Sequence, residues 1–156
     1  MTSIRKARLQ DAEAVWQLRI DAINGLCRGH YSDAAMDRWT EGQCTQAFAE
    51  EVDTAFYLLE LAGQPVACGA VIEGQVEGLF VSPQYGGLGL GKRMLKHLEA
   101  AARQQGLTKL TLESTLNAAP FYRSQGYQGE RIAHYQSPRG FTLDCIPMEK
   151  LLLSPS

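Results

Sequence analysis

Four glycines fall within six residues, Gly86-Gly87-Leu88-Gly89-Leu90-Gly91, at a point where the hydrophobic period of the chain changes. Before them, Val76 to Val81 reads as an apolar strand, ended by Pro83, which cannot donate to a ladder. After them, Leu88, Leu90, Met94, Leu95, Leu98 and Ala102 recur at helical spacing up to Arg103. A strand, a glycine-rich bend and a helix form a site for phosphate. N–H groups at the helix start have no intrahelical acceptor, and glycines let a ligand come close to the main chain.

The rest of the chain constrains the context of that bend. Ser3 to Leu9 reads as a first strand, and Asp11, followed by Glu13, as the N-cap of an amphipathic helix over 11–27. Ser32 or Asp33 caps a shorter helix through Trp39, and Gln43 to Val52 adds a helical turn or two. Ala55 to Leu61, Val66 to Ile72 and Gln75 to Val81 are strand-like and separated by short turns, which predicts an antiparallel meander. After the glycine bend and its helix, stopped by Gly106, comes a strand over Leu107 to Leu112. That order predicts a parallel crossover. A short helix over Asn117 to Ser124 follows. Tyr127 to Tyr135 and Phe141 to Glu149 then form a hairpin across Ser137-Pro138-Arg139-Gly140, and Leu151 to Ser156 is a tail. The sum is a mixed α/β (α+β) sheet of about seven strands, mostly antiparallel, with helices on both faces.

Composition narrows the function. A chain of 156 residues with a formal net charge of −2 suits one domain, and it argues against bulk electrostatic binding to nucleic acid. No apolar run approaches the roughly 20 residues of a membrane span, and the N-terminus lacks the apolar core of a signal peptide. Cys27, Cys44, Cys68 and Cys145 show no metal-ligand spacing, so they read as reduced thiols of a cytoplasmic protein with no metal.

Three phosphate ligands compete for the bend. Gly86 to Lys92 matches the nucleotide pattern GxxxxGK, but Arg93 stands where a hydroxyl must reach magnesium. A dinucleotide fingerprint needs a third glycine where Lys92 or Met94 stands. The third reading is a family resemblance. The stretch Val81-Ser82-Pro83-Gln84-Tyr85-Gly86-Gly87-Leu88-Gly89-Leu90-Gly91 resembles the signature Val-x-Pro-x-x-(Arg/Gln)-x-x-Gly-x-(Gly/Ala) of the GNAT acyltransferase superfamily. It departs at Gly86, where that family usually carries Arg or Gln. A second stretch, Asn117-Ala118-Ala119-Pro120-Phe121-Tyr122 leading to Gly126-Tyr127, is similar to the family's later motif. Pro147 to Leu151 resembles its closing strand, and the resemblance covers residues 1–156 as a single domain.

The resemblance implies direct transfer of an acetyl group from acetyl-CoA to a primary amine on a small molecule or peptide. By that resemblance, the N–H groups of Gly86, Gly87, Leu88, Gly89, Leu90, Gly91 and Lys92 hold the pyrophosphate. The backbone of Leu79, Phe80 and Val81 pairs with the pantetheine arm like an added strand. Tyr122 is the general acid that protonates the departing thiolate. Glu77, sharing a face with Leu79 and Val81 by the two-residue period, is the candidate base, and Glu113 is its rival. Asn117 either bonds the CoA arm or caps the short helix. His30 and Tyr31 lie in a loop that lines the acceptor pocket in the family, and each also suits an ordinary surface or packing role. Cys44 and Cys68 have no partner base for a thiol mechanism. The alternative function is a non-catalytic acetyl-CoA sensor or partner module. Exposed C-terminal strands could pair in a homodimer, and neither nucleic acid nor membrane is expected as a partner.

Overall fold

In a computed structural model, residues 1–137 and 140–152 are described; the predicted turn at Pro138-Arg139 and the tail beyond Leu152 lie outside them. Seven strands form one sheet in the order β1-β2-β3-β4-β5-β7-β6. They are β1 (Thr2–Lys6), β2 (Phe56–Leu61), β3 (Gln64–Ile72), β4 (Gln75–Val81), β5 (Lys109–Ser114), β6 (Ala133–Gln136) and β7 (Thr142–Leu151). Every neighbouring pair is antiparallel except β4 and β5, which are parallel and joined through the long helix that follows the glycine bend.

Five helices cover the sheet: α1 (Ala12–Leu26), α2 (Asp33–Thr40), α3 (Gln46–Ala55), α4 (Leu90–Gln104) and α5 (Ala119–Ser124). Strand alternation divides the core in two. On one face Leu59, Val66, Ala67 and Val76 pack with Met94, Leu95 and Leu98 of α4. On the other, Leu58, Cys68 and Ala70 pack with Val15 and Leu18 of α1 and Val52 of α3. The hydroxyls of Ser32 and Thr45 cap α2 and α3, accepting from the N–H groups of Ala35 and Phe48, both at 3.1 Å. Each cap satisfies a donor that the helix cannot. The Thr45 cap and the burial of Val52 make α3 a ten-residue helix where the sequence predicts a turn or two.

Several expectations are corrected. The Asp11 carboxylate does not cap α1. It accepts from the Arg8 N–H at 2.8 Å and from both terminal nitrogens of Arg5 at 2.8 and 2.9 Å. The Arg5 fork outcompetes the helix because a bidentate, charge-assisted pair is the stronger bond. Helix α4 begins at Leu90, not Leu88, because Gly89 adopts φ +75° and sets the turn. Leu88 is therefore outside the helix and 63% exposed. The strand predicted from Tyr127 shrinks to β6. Ahead of it, Gln128 forms an isolated bridge, exchanging two backbone bonds with Glu149 at 2.8 and 3.0 Å.

One polar cluster lies in the core between α4 and β7. Glu99 is 1% exposed. It accepts from the Tyr127 hydroxyl at 3.0 Å and from Lys150 Nζ at 3.1 and 3.2 Å. Lys150 also donates to the Gln125 carbonyl at 2.8 Å, which ties the end of α5 to the sheet. The Glu99 charge is buried only because it is paired and hydrogen-bonded.

Candidate active site

The site arises where the sheet fails to close. Strands β4 and β5 share a single register pair, Gln75 with Thr111, plus the Thr111 N–H donating to Gly74 O at 3.0 Å. Beyond that point they part, and among the described residues the β5-facing edge of β4 has no strand partner. A cavity of about 1180 Å³ occupies the opening. It extends from the glycine bend, past α5, to the face of the sheet covered by α1 and α3.

Strand β4 is bulged beside this opening. Cys68 opposes Phe80 and Ala70 opposes Glu77, so Gly78 and Leu79 together face the single residue Gly69. Gly78 has φ +62°, and a Cβ there would sit 2.5 Å from the Phe56 ring. Both facts demand glycine. The extra residue breaks the two-residue period. Leu79 and Val81 pack on the α4 side, whereas Phe80 packs on the α1 side. Glu77 therefore shares its face with Phe80, not with Leu79 and Val81 as simple alternation predicts. Leu110 and Leu112 of β5 point to the α4 side, so Glu113 points the other way. Glu77 and Glu113 thus meet on one face. Burial first, and then the charges of Glu51, Glu113 and Glu73, push the Glu77 carboxyl above its ordinary value.

At the other end, Gly87 and Gly89 have φ of +78° and +75°, a left-handed conformation that favours glycine. Gly86 does not share this constraint. Its φ is −66°, and a Cβ would approach nothing nearer than the Pro83 carbonyl oxygen at 3.6 Å. The first-turn N–H groups of Leu90, Gly91 and Lys92 have no intrahelical acceptor, and no side chain caps α4. Gly86, Gly87, Gly89, Leu90, Gly91 and Lys92 all line the cavity, as do Leu79, Phe80 and Val81. Leu88 does not.

Tyr122 lines the middle of this run and is 8% exposed. Its ring meets those of Phe121 and Tyr127 edge-on, with centroids 5.2 and 5.8 Å apart. Its hydroxyl has no hydrogen-bond partner among the described residues. Burial raises its pKa well above that of a free phenol, so it keeps its proton through neutral pH. Asn117 does not cap α5, because Ala118 holds the N-cap position and no side chain caps that helix. Asn117 and Thr115 lie beside the Cys27 thiol, whose pKa burial raises. The Oδ1 of Asn117 is buried beside the cavity without a partner.

His30 is exposed and outside the cavity lining, whereas Tyr31 lines it. The Tyr31 hydroxyl donates to Asp144 O at 2.6 Å and accepts from the Leu116 N–H at 3.1 Å. It thereby ties the α1–α2 loop to β7 and to the stretch before α5. Burial pushes its pKa up to about 12. Cys68 is wholly buried, its thiol also pushed up to about 12 by burial, so it is no nucleophile.

Sequence reasoning missed Trp16, Arg19, Phe48, Glu51 and Tyr135, all of which line the acceptor end. Trp16 and Arg19 flank the apolar stripe of α1, and their spacing carried no signal beyond helix. Arg19 donates to the Trp39 carbonyl at 2.7 Å and lies 4.8 Å from the Trp16 ring centroid. Among the described residues no group of three or more His, Cys, Asp or Glu could hold a metal ion, and no helix is long and apolar enough to cross a membrane.

Residues 27–152 match a family model described as an acetyltransferase (GNAT) domain. The chain is 34% identical over 136 residues to the IAA acetyltransferase of Azospirillum brasilense, covering 81% of this chain and 84% of that one. Its fold superposes with a TM-score of 0.90 on a GCN5-related N-acetyltransferase from Rhodopseudomonas palustris, at 24% identity, covering 97% and 96% of the two chains. It superposes at 0.75 on the PaiA N-acetyltransferase of Thermoplasma acidophilum, solved in complex with coenzyme A, at 18% identity, covering 97% and 99%.

Proposed function

The chain belongs to the GNAT acetyltransferase family and is an N-acetyltransferase; from that premise we propose that it moves an acetyl group from acetyl-CoA directly to a primary amine, with Tyr122 as the general acid. The observation that carries the proposal is one cavity that joins, among the described residues, an uncapped glycine-rich helix start, a strand edge without a strand partner and the unpaired hydroxyl of a buried tyrosine ring. The chain 1–156 acts as one domain, in the cytoplasm.

The main chain binds the donor. Gly87, Gly89, Leu90, Gly91 and Lys92 present N–H groups to the pyrophosphate, whereas the Gly86 N–H already donates to the Pro83 carbonyl at 3.4 Å. The partial positive charge of the α4 start favours the anion. The open edge of β4 at Leu79, Phe80 and Val81 takes the pantetheine arm as a strand would be taken. The unpartnered Oδ1 of Asn117 accepts from the same arm. That one solved fold neighbour carries coenzyme A supports this reading. Acetyl-CoA supplies the activated acyl group as a thioester.

Side chains perform the transfer. The amine reaches the site protonated and must lose its proton before nitrogen can attack the acyl carbon. Glu77, half-buried and pushed above the usual carboxylate range, is better matched to that task than exposed Glu113. As the C–N bond forms and the C–S bond breaks, negative charge moves to sulfur. Tyr122 offers its proton there through a charge-assisted bond. Its raised pKa makes it a weaker acid than a free phenol, so it contributes most once the charge on sulfur has developed.

Tyr122→Phe tests the assignment. It keeps the ring contacts, so acetyl-CoA affinity by calorimetry should stay within about twofold while kcat falls about 100-fold. An unchanged kcat would remove Tyr122 from the chemistry. Binding of acetyl-CoA without turnover across a broad amine panel would favour a sensor instead.

A further inference from the structure

The acceptor end of the cavity carries more negative charge than proton abstraction requires. Glu77 and Glu113 face it from the split strands and Glu51 from α3. Glu51, Glu113 and Glu73 all act on Glu77 electrostatically. The wall between them is aromatic, built from Trp16, Trp39, Phe48 and Tyr135. Among the described residues lining this end, the one guanidinium is Arg19, which donates to the Trp39 carbonyl and lies over the Trp16 ring. Lys92 lies at the donor end. Asp144 lies beside His134, whose Nδ1 is 2.7 Å from the Asp144 Oδ1. A separate observation marks where the reaction occurs in this cavity: the Tyr122 hydroxyl, in a side chain more than nine-tenths buried, faces it without a partner.

Building on the acetyl-transfer reading, we propose that the acceptor is a small dicationic amine, a diamine or longer polyamine in which a short alkyl spacer separates the reacting nitrogen from a second ammonium. Glu77 receives the reacting nitrogen beside the β4–β5 split. Glu51 and Glu113, both exposed at the rim, hold the second charge. The aromatic faces accept the alkyl spacer and attract ammonium by cation–π contact. A purely apolar amine would use those walls but leave two carboxylates facing hydrocarbon. A free amino acid would bring its carboxylate against three others. The dication accounts for both the walls and the charges. The rim carboxylates also steer it inward, an effect that fades with salt. The transfer conserves charge and atoms: the ammonium gives one proton to Glu77, and after the C–N bond forms the nitrogen gives a second that restores, through solvent, the proton Tyr122 passes to the leaving sulfur.

A matched series of terminal diaminobutane, butylamine and aminobutanoate varies only the second group. At low salt, kcat/KM should fall about tenfold from diamine to monoamine, and further to the amino acid. Glu51→Gln should narrow the diamine-to-monoamine ratio. Equal turnover of diamine and monoamine, or a preference for aminobutanoate, overturns the dication while leaving acetyl transfer intact. So does selective turnover of a lysine peptide over free diamine. Calorimetry of diaminobutane separates the two readings: saturable binding that Glu51→Gln weakens, without turnover, sustains the cationic subsite and removes the transferase assignment. Absence of both binding and turnover overturns both.

Discussion

The two ends of the cavity are built from different material. The donor end is one continuous segment, Leu79 to Lys92, and it presents mostly main chain. The acceptor end draws side chains from α1, α2, α3, β4, β5 and β6, spread over more than a hundred residues of the sequence. A main-chain cradle depends on backbone conformation and tolerates changes of side chain. A side-chain pocket depends on identity, so it can change its ligand while the fold stays constant. The donor end can therefore serve one cosubstrate across a family while the acceptor end diverges.

The largest expected effect strikes what both ends share. Glu99 and Lys150 anchor Tyr127, which supports the Tyr122 ring between the two halves. Glu99→Ala removes one partner of a buried pair and should cost roughly 3 kcal/mol in urea unfolding. The lower end of the usual range applies, because Lys150 keeps the Gln125 carbonyl and some water. A loss under about 1 kcal/mol would mean that the pair is not a common support.

Next comes a side-chain change at the acceptor end. Glu77→Gln should lower kcat/KM about 100-fold at neutral pH with acetyl-CoA binding unchanged. In the parent protein, activity should decline as acid protonates Glu77, and the midpoint should lie above that of an ordinary glutamate because the carboxyl is raised. The stability sign is opposite. A raised carboxyl pKa means the folded state binds that proton more tightly than the unfolded chain does. Ionised Glu77 therefore opposes folding above its folded pKa, and the penalty is relieved as pH falls through that pKa. Glu77→Gln should consequently raise the melting temperature slightly at neutral pH, by less than about 1 kcal/mol, because the half-exposed group is screened by water. A lower melting temperature would show that the charge supports the fold.

The donor end should respond to backbone more than to side chains. Gly89→Ala forces a left-handed residue to carry a Cβ, a strain of about 1–2 kcal/mol, and should weaken acetyl-CoA binding about tenfold. Affinity within twofold of the parent would break the backbone account. The smallest effect belongs to Gly86→Arg. Its ordinary φ and open surroundings admit a side chain without strain. The added charge should tighten acetyl-CoA about threefold by calorimetry, and weaker binding would count against a phosphate at that place.

The donor end was legible because its signals are local. Glycine spacing, the Pro83 break and the α4 period all lie within about twenty residues, and Asn117 to Tyr127 repeats the pattern for Tyr122. The acceptor end was not. Trp16 and Arg19 flank the apolar stripe of one helix and Glu51 lies on another, and nothing in their sequence spacing brings them together. Simple alternation puts Glu77 on the wrong face because one extra residue shifts β4 out of phase; Gly78, an isolated glycine within a strand pattern, is the signal that marks the bulge. The capping case for Asp11 rests on its residue type and on Glu13, without a capping-box partner at Ala14, and Arg5 on the neighbouring strand takes the carboxylate instead.

The sequence alone determined the order of strands and helices, the glycine bend that starts α4, and the tyrosine placed after the following strand. These rest on short-range sterics and periodicity, which neighbouring residues settle among themselves. Tertiary structure decided where β4 leaves β5, which face Glu77 takes, and which distant carboxylates and aromatic rings surround it. Those features depend on a bulge and on packing between segments far apart in the chain, and no local pattern encodes a contact whose partner is that distant.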